Sequence, residues 1–142
     1  MAPELLIKKK KEAMTDVGNL NVVSFGLTPK SENPNRIYQL IIIDYPEGTF
    51  HPDSIDLKEE TIDQFIFQSA QEEHSELIYE EEIFTNGMQM RQWRIHNNEE
   101  LSIKSRLAIT GDRVYILQVM SDITKSLNED IDKFLDSFVK LN

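Results

Sequence analysis

The sequence predicts an α+β fold in which helices cover both faces of an antiparallel sheet of six to seven strands, an α/β/α sandwich. Strand-like segments follow one another through hairpin-length connections, which favours antiparallel pairing. Two of these segments, 36–45 and 114–120, are apolar on both faces and therefore need cover on both sides. Two segments with helical periodicity, 55–74 and 126–138, can supply that cover.

A single domain spanning residues 1–142 accommodates all of these segments. The chain has 142 residues, which is an ordinary length for one domain. Hydrophobic residues make up 39% of it and charged residues 28%, a balance typical of a folded protein. No internal repeat or long linker divides the chain, so we expect one hydrophobic core.

The first half of the chain contains a predicted hairpin, a buried strand and a long helix. Segments 5–14 and 19–27 pair across a turn at 15–18, and the strand 36–45 ends at Pro46. In the helix 55–74 the apolar positions that share one face are Ile62, Phe65, Ile66 and Ala70. Asp56 and Glu59 have the spacing of a capping box near the start of this helix.

The second half contains four predicted strands and a final helix. Asn86-Gly87 joins strands 76–84 and 88–96, because this dipeptide suits the positive φ angles of a tight turn. The strand 101–110 alternates, with Leu101, Ile103, Leu107 and Ile109 predicted inward and Ser102, Lys104, Arg106 and Thr110 outward. After a turn at Gly111-Asp112, the strand 114–120 is predicted to be central in the sheet.

The final helix is predicted to start at Ser126, with Glu129 completing a capping box. Its buried stripe comprises Leu127, Ile131, Phe134, Leu135 and Phe138.

Charge and hydropathy exclude several classes of function. The formal net charge is −10, whereas proteins that bind the phosphate backbone need clustered lysine and arginine, so we expect no nucleic-acid partner. The longest aliphatic run, Leu40 to Ile43, is far shorter than the roughly 18 residues of a membrane-spanning helix. The chain has no cysteine, so disulfides and thiolate chemistry are excluded.

The N-terminal segment does not have the pattern of a secretory signal. Lys8 to Lys11 follow the apolar run Leu5 to Ile7, whereas the basic residues of a signal precede its apolar run. If the protein is exported to the periplasm or cell envelope, as we expect of its full-length form, its signal lies outside this sequence.

Catalytic motifs are absent from the sequence. The five glycines are scattered, so none forms a phosphate-binding loop, and no Gly-x-Ser-x-Gly turn is present. We therefore predict that the protein is not an enzyme and has no cofactor.

Four residues are candidates for contact with a ligand or partner: His51, Asp53, Trp93 and Met90. His51 and Asp53 lie in the loop after the strand 36–45, with Asp44 and Glu47 nearby. Carboxylates and an imidazole could converge on a metal ion or act in acid–base chemistry, but such a loosely spaced set is more typical of turns and caps. Trp93 and Met90 could line a pocket or partner surface, although such residues in strands more often belong to the core.

Several segments together resemble the PsbP-like superfamily, in particular its small bacterial members. They are Thr15 to Leu20, Ile37-Tyr38 leading to Asp44-Tyr45-Pro46, Lys104 to Arg106, Gly111 to Tyr115, and Phe134 to Phe138. The resemblance implies an α/β/α sandwich. It also implies accessory binding without catalysis, because the superfamily includes extrinsic subunits of the oxygen-evolving photosystem and a Ran-binding import factor. The matching positions are packing and turn residues, so the resemblance assigns no functional residue.

Two departures from the superfamily pattern bear on assembly. In the superfamily the first strand usually ends in a proline, and this chain joins that pattern only at the proline, Pro3. The turn at Asn86-Gly87 lacks the usual Pro-Gly. A missing first strand exposes a sheet edge, which favours a homodimer formed through that edge.

Three functional hypotheses follow. The leading one is a non-catalytic bacterial accessory domain that binds a protein or another ligand. The second is a small-molecule carrier with a pocket between sheet and helix, lined by Trp93, Met90 and Phe65, although the last helix is short for a helix-grip carrier. The third is a metal-dependent enzyme using His51 and Asp53, which is disfavoured because a catalytic metal normally needs about three protein ligands.

Overall fold

In the part of the chain that the structure describes, seven antiparallel strands form one sheet that is accompanied by two α-helices. The structure is a computed structural model and describes residues 5–15, 18–28, 35–50, 55–71, 75–85, 87–97, 100–125 and 129–136. The elements are β1 (Leu5–Thr15), β2 (Gly18–Thr28), β3 (Asn35–Asp44), α1 (Ile55–Ala70), β4 (Ser75–Thr85), β5 (Met88–Asn97), β6 (Leu101–Thr110), β7 (Arg113–Asp122), a 3-10 turn (Ile123–Lys125) and α2 (Glu129–Asp136). In the described part of the chain no helix is long and apolar enough to cross a bilayer.

The strand order is β1-β2-β3-β7-β6-β5-β4, and every neighbouring pair is antiparallel. The predicted antiparallel sheet of six to seven strands is therefore confirmed. The last strand, β7, inserts between β3 and β6, with Leu40 opposite Leu117 and Ile41 opposite Ile116. This position confirms the prediction that the segment 114–120 is a central strand. The two edges of the sheet are β1 and β4.

A first hydrophobic cluster joins α1 to the sheet. Trp93, Leu107 and Val114 are almost fully buried in it, and Ile66 of α1 is 3% exposed. The other buried members are Leu20, Ile43, Phe50, Ile95 and Ile116. Ile62 and Phe65 of α1 pack against this cluster, as the helical periodicity predicted.

A second, smaller hydrophobic cluster involves α2. Its buried members are Tyr38, Leu117, Val119, Ile131 and Leu135. The rings of Tyr38 and Phe134 lie 5.1 Å apart at a tilt of 56°. Ile131, Phe134 and Leu135 were predicted to form the stripe of this helix, and the structure places all three in the cluster. The predicted cap at Ser126, together with Leu127 and Phe138, lies outside the described residues.

The prediction that β6 turns Ser102, Lys104 and Arg106 outward is wrong. Ser102 is 1% exposed and accepts a hydrogen bond from Arg94, and Arg106 is 7% exposed on a strand against which α2 packs. Lys104 Nζ donates to Asp132 Oδ1 at 2.9 Å, and Arg106 Nη1 donates to Asp136 Oδ1 at 2.6 Å. Long basic side chains can bury their stems on a sheet when carboxylates meet their charged ends.

The two lysine and arginine positions on β6 are about as far apart as the two aspartates on α2 with which they pair. Two residues of a strand span about 6.7 Å, and four residues of a helix span about 6 Å. Lys104 and Arg106 can therefore meet Asp132 and Asp136 simultaneously, which fixes the position of α2 along β6.

Candidate functional site

The hairpins β4–β5 and β6–β7 separate near their turns. The ladder between β5 and β6 runs from His96 opposite Ser102 to Arg91 opposite Leu107. Both strands continue beyond that pair, but Met88–Met90 and Ala108–Thr110 do not pair with each other. The sheet therefore forks at this end, and the fork leaves a cleft beside α1.

The cleft is a cavity of about 450 Å³. Its apolar lining residues are Ile62, Met88, Met90, Leu107 and Ile109, its charged ones are Lys58, Glu59, Glu82 and Arg91, and the others are Gln89, Thr110 and Gly111. This volume lies in the range of small-molecule sites. Such sites are mostly apolar, whereas the lining of this cleft is evenly mixed. Methionine side chains also adapt their shape to different occupants.

Arg91 is the charged centre of this region. Its side chain is 10% exposed and donates to Glu59 Oε2 at 2.7 Å and to Asp63 Oδ1 at 3.1 Å. Glu82 and Glu80 of β4 lie 3.7 Å and 4.0 Å away. Burial alone would lower the pKa of Arg91, but its hydrogen bond to Asp63 and the surrounding carboxylates raise that pKa above its usual value. Arg91 thus links α1 to the β4–β5 hairpin, and the four carboxylates leave an excess of negative charge around it.

The exposed side chains of the edge strand β4 form a second feature, which we call the acidic edge. It comprises Glu76, Leu77, Ile78, Glu80, Glu81, Glu82 and Phe84. Ile78 is 42% exposed and Phe84 is 76% exposed, which is unusual for such large apolar side chains. A ladder irregularity lies between Leu77 and Tyr79. The acidic edge adjoins the cleft, because Glu82 belongs to both.

A loop after β3 is attached to the β6–β7 turn beside the cleft. Gly48 N and Phe50 N each donate to the Asp112 carboxylate at 2.8 Å, and Tyr45 N donates to the Asp112 carbonyl at 2.9 Å. The hydrogen bonds from Phe50 and Gly48 lower the pKa of Asp112 below its usual value of 3.8. The rings of Tyr45 and Phe50 lie 4.8 Å apart, so the loop is also held by packing.

The predicted polar cluster after β3 is only partly described by the structure. Asp44 pairs with Arg113, and Glu47 is exposed. His51 and Asp53 lie outside the described residues. Among the residues that are described, no group of three or more His, Asp or Glu side chains could hold a metal ion.

The other two candidates occupy different places. Met90 is 3% exposed and lines the cleft, whereas Trp93 is 1% exposed and belongs to the first hydrophobic cluster. Sequence reasoning did not single out Arg91. A signal was available, because Arg91 shares the alternation of Trp93 and Ile95, which places a cation on a core-facing position that requires carboxylate partners.

A row of polar side chains crosses strands β5, β6 and β7 at the opposite end of the ladder. Arg94 is 6% exposed and donates to Ser102 Oγ at 2.6 Å, and its guanidinium carbon lies 6.0 Å from the Tyr79 ring centroid. Within the described residues, His96 Nε2 and Ser121 Oγ are buried without a hydrogen-bond partner. Burial and the positive charge of Arg94 lower the pKa of His96. These surroundings therefore favour the neutral form of the His96 imidazole.

Comparisons with known proteins identify the fold. No protein-family model matches the chain, and no curated protein matches it. A Pseudomonas aeruginosa protein of unknown function, PA94, described as a putative regulator, superposes with a TM-score of 0.59 at 13% identity, covering 94% of this chain and 98% of that one. The cyanobacterial PsbP protein CyanoP from Synechocystis sp. PCC 6803 gives a TM-score of 0.50 at 12% identity, covering 94% and 92%. These likenesses concern the fold alone, and they confirm the predicted PsbP-like fold.

Proposed function

We propose that this PsbP-like domain is a non-catalytic bacterial accessory domain that binds a protein partner through the acidic edge. The observation that carries the proposal is the exposure of Leu77, Ile78 and Phe84 on an edge strand. An edge strand presents unpaired backbone donors and acceptors, and a partner segment can satisfy them by adding a strand. The two similar structures named above come from bacteria, which supports the bacterial assignment.

The chemistry of the partner follows from the charges beside these apolar side chains. The acidic edge carries Glu76, Glu80, Glu81 and Glu82, and the whole chain has a net charge of −10. Opposite charges attract a partner and set its register, whereas like charges reject it. The expected partner is therefore an extended segment in which apolar residues accompany lysine or arginine.

A peptide-binding experiment tests this function. The probe is a fluorescein-labelled ten-residue peptide of alternating valine and lysine, and its matched control has glutamate in place of lysine. We expect fluorescence anisotropy to show binding of the lysine peptide that weakens with salt, and no binding of the glutamate peptide. Phe84→Ser should weaken binding, whereas Ile37→Ser should not, because Ile37 is a 39% exposed apolar residue on β3, away from the acidic edge.

Two outcomes of that experiment would overturn the function. One is equal affinity for the lysine and glutamate peptides, which would mean that the charges of the acidic edge do not select the partner. The other is equal weakening by Phe84→Ser and Ile37→Ser, which would place the binding elsewhere.

A second candidate function is a small-molecule carrier that uses the cleft. The supporting observation is a cavity of about 450 Å³ with Met90, Ile62 and Leu107 in its lining. Native mass spectrometry of the protein purified from its own cells tests this function. A retained small molecule whose removal shifts the NMR methyl signals of Met88 and Met90 would support it, whereas a bare polypeptide mass would count against it.

We also infer that the two helices cover opposite faces of the sheet, as the α/β/α sandwich requires. Ile41 and Ile43 of β3 pack with the cluster that contains α1, whereas Tyr38 and Leu40 pack with the cluster that contains α2. Odd- and even-numbered residues of one strand point to opposite faces. This arrangement leaves the acidic edge at the side of the sandwich, where a partner strand can reach it.

A further inference from the structure

We propose that a partner of the acidic edge is a second copy of this chain, whose strand β1 pairs antiparallel with β4. This inference rests on the proposed function and names the partner. Strands β1 and β4 are the two edges of the same sheet, and each contains 11 residues. Strand β1 carries the four consecutive lysines 8–11, and its neighbours 5–7 are aliphatic. It therefore has the composition expected of the partner segment, apolar residues beside lysines.

One register aligns the two strands along most of their length. When residue 8 of one copy lies opposite residue 82 of the next, Lys8, Lys9 and Lys10 face Glu82, Glu81 and Glu80 in turn. The same register places Leu6 opposite Phe84 and Ile7 opposite Ile83, so that apolar residues also meet apolar residues. Residues directly opposite each other in an antiparallel pair lie on the same face and interact. The matched stretch lies wholly on one side of the irregularity between Leu77 and Tyr79, which therefore does not disturb it.

A parallel register that aligns Leu5 with Leu77 also brings Lys8, Lys9 and Lys10 opposite Glu80, Glu81 and Glu82. Its matched stretch crosses the irregularity between Leu77 and Tyr79, whereas the antiparallel stretch lies wholly on one side of it. Antiparallel pairing is also slightly more stable per residue. The antiparallel register is therefore the favoured one.

The same charges disfavour a symmetric dimer through either edge. Pairing β4 with β4 would bring the glutamates 80–82 of two copies together, and pairing β1 with β1 would do so for the lysines 8–11. The favoured contact joins two different edges, so it is heterologous and leaves one β1 and one β4 unpaired at the ends. Association should therefore continue with concentration instead of stopping at a closed dimer.

Sedimentation velocity of the full chain over a range of concentrations and salt tests this inference. We expect the weight-average sedimentation coefficient to rise with concentration at low salt and to fall back towards the monomer value at high salt. Lys8→Glu/Lys9→Glu should abolish the rise. The matched control Lys125→Glu/Lys133→Glu changes the net charge equally at positions outside both edges and should retain the rise.

A charge exchange makes the test specific for the two edges. Glu80→Lys/Glu81→Lys should also abolish self-association, and it spares Glu59 and Asp63, the nearest partners of Arg91. Mixing this variant with Lys8→Glu/Lys9→Glu should restore association, because each basic edge again meets an acidic one. Circular dichroism melts establish that each variant is folded before it is compared.

The outcomes separate this inference from the proposed function. A wild-type chain that stays monomeric at every concentration, yet still binds the lysine peptide through Phe84, would overturn the inference and leave the function standing. Absence of both self-association and peptide binding would overturn both. Association that survives Lys8→Glu/Lys9→Glu, or that stops at a closed dimer, would overturn the pairing of β1 with β4.

Discussion

The carboxylate of Asp112 accepts a hydrogen bond from the backbone N–H of Phe50 at 2.8 Å, across 62 residues of chain. The same carboxylate accepts a second hydrogen bond from Gly48, and together the two hold the loop after β3 against the β6–β7 turn. This contact links a loop of the first half of the chain to the turn that precedes the central strand.

Asp112→Asn should lower the stability of the fold and change its pH dependence. The pKa of Asp112 is lower in the folded chain than its usual value of 3.8, so its ionised form stabilises the folded state above about pH 4. That contribution is lost as the pH falls through the lowered pKa. Urea unfolding between pH 2.5 and pH 6 measures it, and the asparagine variant should lose this part of the acid sensitivity.

Glu60→Gln is the control for this measurement, because Glu60 is exposed on α1. Its acid sensitivity should match that of the wild-type chain. If Asp112→Asn and Glu60→Gln gave the same curve as the wild type, the hydrogen bonds of Asp112 would contribute nothing to stability.

Arg91→Met should destabilise the chain because it leaves four carboxylates without their shared cation. Breaking a buried ion pair costs about 3–5 kcal/mol, but Glu59 and Asp63 are 46% and 63% exposed, so water reduces the cost to about 1–3 kcal/mol. Urea unfolding gives the difference, and added salt should recover part of it by screening the repulsion.

Arg113→Met provides the matched comparison for Arg91. The side chains of Arg113 and Asp44 are 49% and 40% exposed, and an exposed pair is worth about 0–1 kcal/mol. A larger loss for Arg113→Met than for Arg91→Met would contradict the central role of Arg91.

Trp93→Ala should be among the most destabilising substitutions in the sheet. Trp93 is 1% exposed in the first hydrophobic cluster, and removing such a side chain costs about 3–5 kcal/mol. Circular dichroism during urea unfolding measures the loss. The control Phe67→Ala should change stability by less than about 0.5 kcal/mol, because Phe67 is 63% exposed.

Fluorescence gives a second measurement at the same position, because Trp93 is the only tryptophan of the chain. Its emission should shift to longer wavelength when the protein unfolds. An emission maximum that is the same in the folded and unfolded states would show that Trp93 is not buried.

His96 should titrate below pH 6.5, the usual pKa of histidine. Burial and Arg94 lower its pKa in the folded chain, so protonation favours the unfolded state. The resulting stability is complete above pH 6.5 and is lost as the pH falls towards the lowered pKa. NMR titration of the imidazole signals measures the value, and His96→Gln assigns the signal among the three histidines of the sequence. A pKa at or above 6.5 would contradict the buried environment.

Much of the sheet could be predicted because its signals are local. Alternation, β-branched residues and the Asn86-Gly87 turn each depend on neighbours in sequence, and Gly87 has the expected positive φ of 77°. The outward assignment of Ser102 and Arg106 failed because polarity does not reveal what covers a strand. Arg106 meets α2, whose Asp136 lies 30 residues away in the chain, and Ser102 meets Arg94 of the neighbouring strand.

The candidate site was less predictable than the fold. Met90 was a candidate, but the cleft it lines exists because the pairing of β5 with β6 stops at Arg91 and Leu107. No residue pattern in the sequence predicts where that pairing stops. The role of Arg91 depends on Glu59 and Asp63, which come from a helix about 30 residues away, so only the folded chain brings them together.

The insertion of β7 between β3 and β6 has a consequence for synthesis on the ribosome. Strands β1 to β3 and β4 to β6 emerge as two separate antiparallel groups, and the strand that joins them comes last, at residues 113–122. A nascent chain that stops before residue 113 therefore exposes the long edges of β3 and β6, which are later covered. Those transient edges are the places where a chaperone would be needed, because unpaired strands with apolar faces aggregate readily.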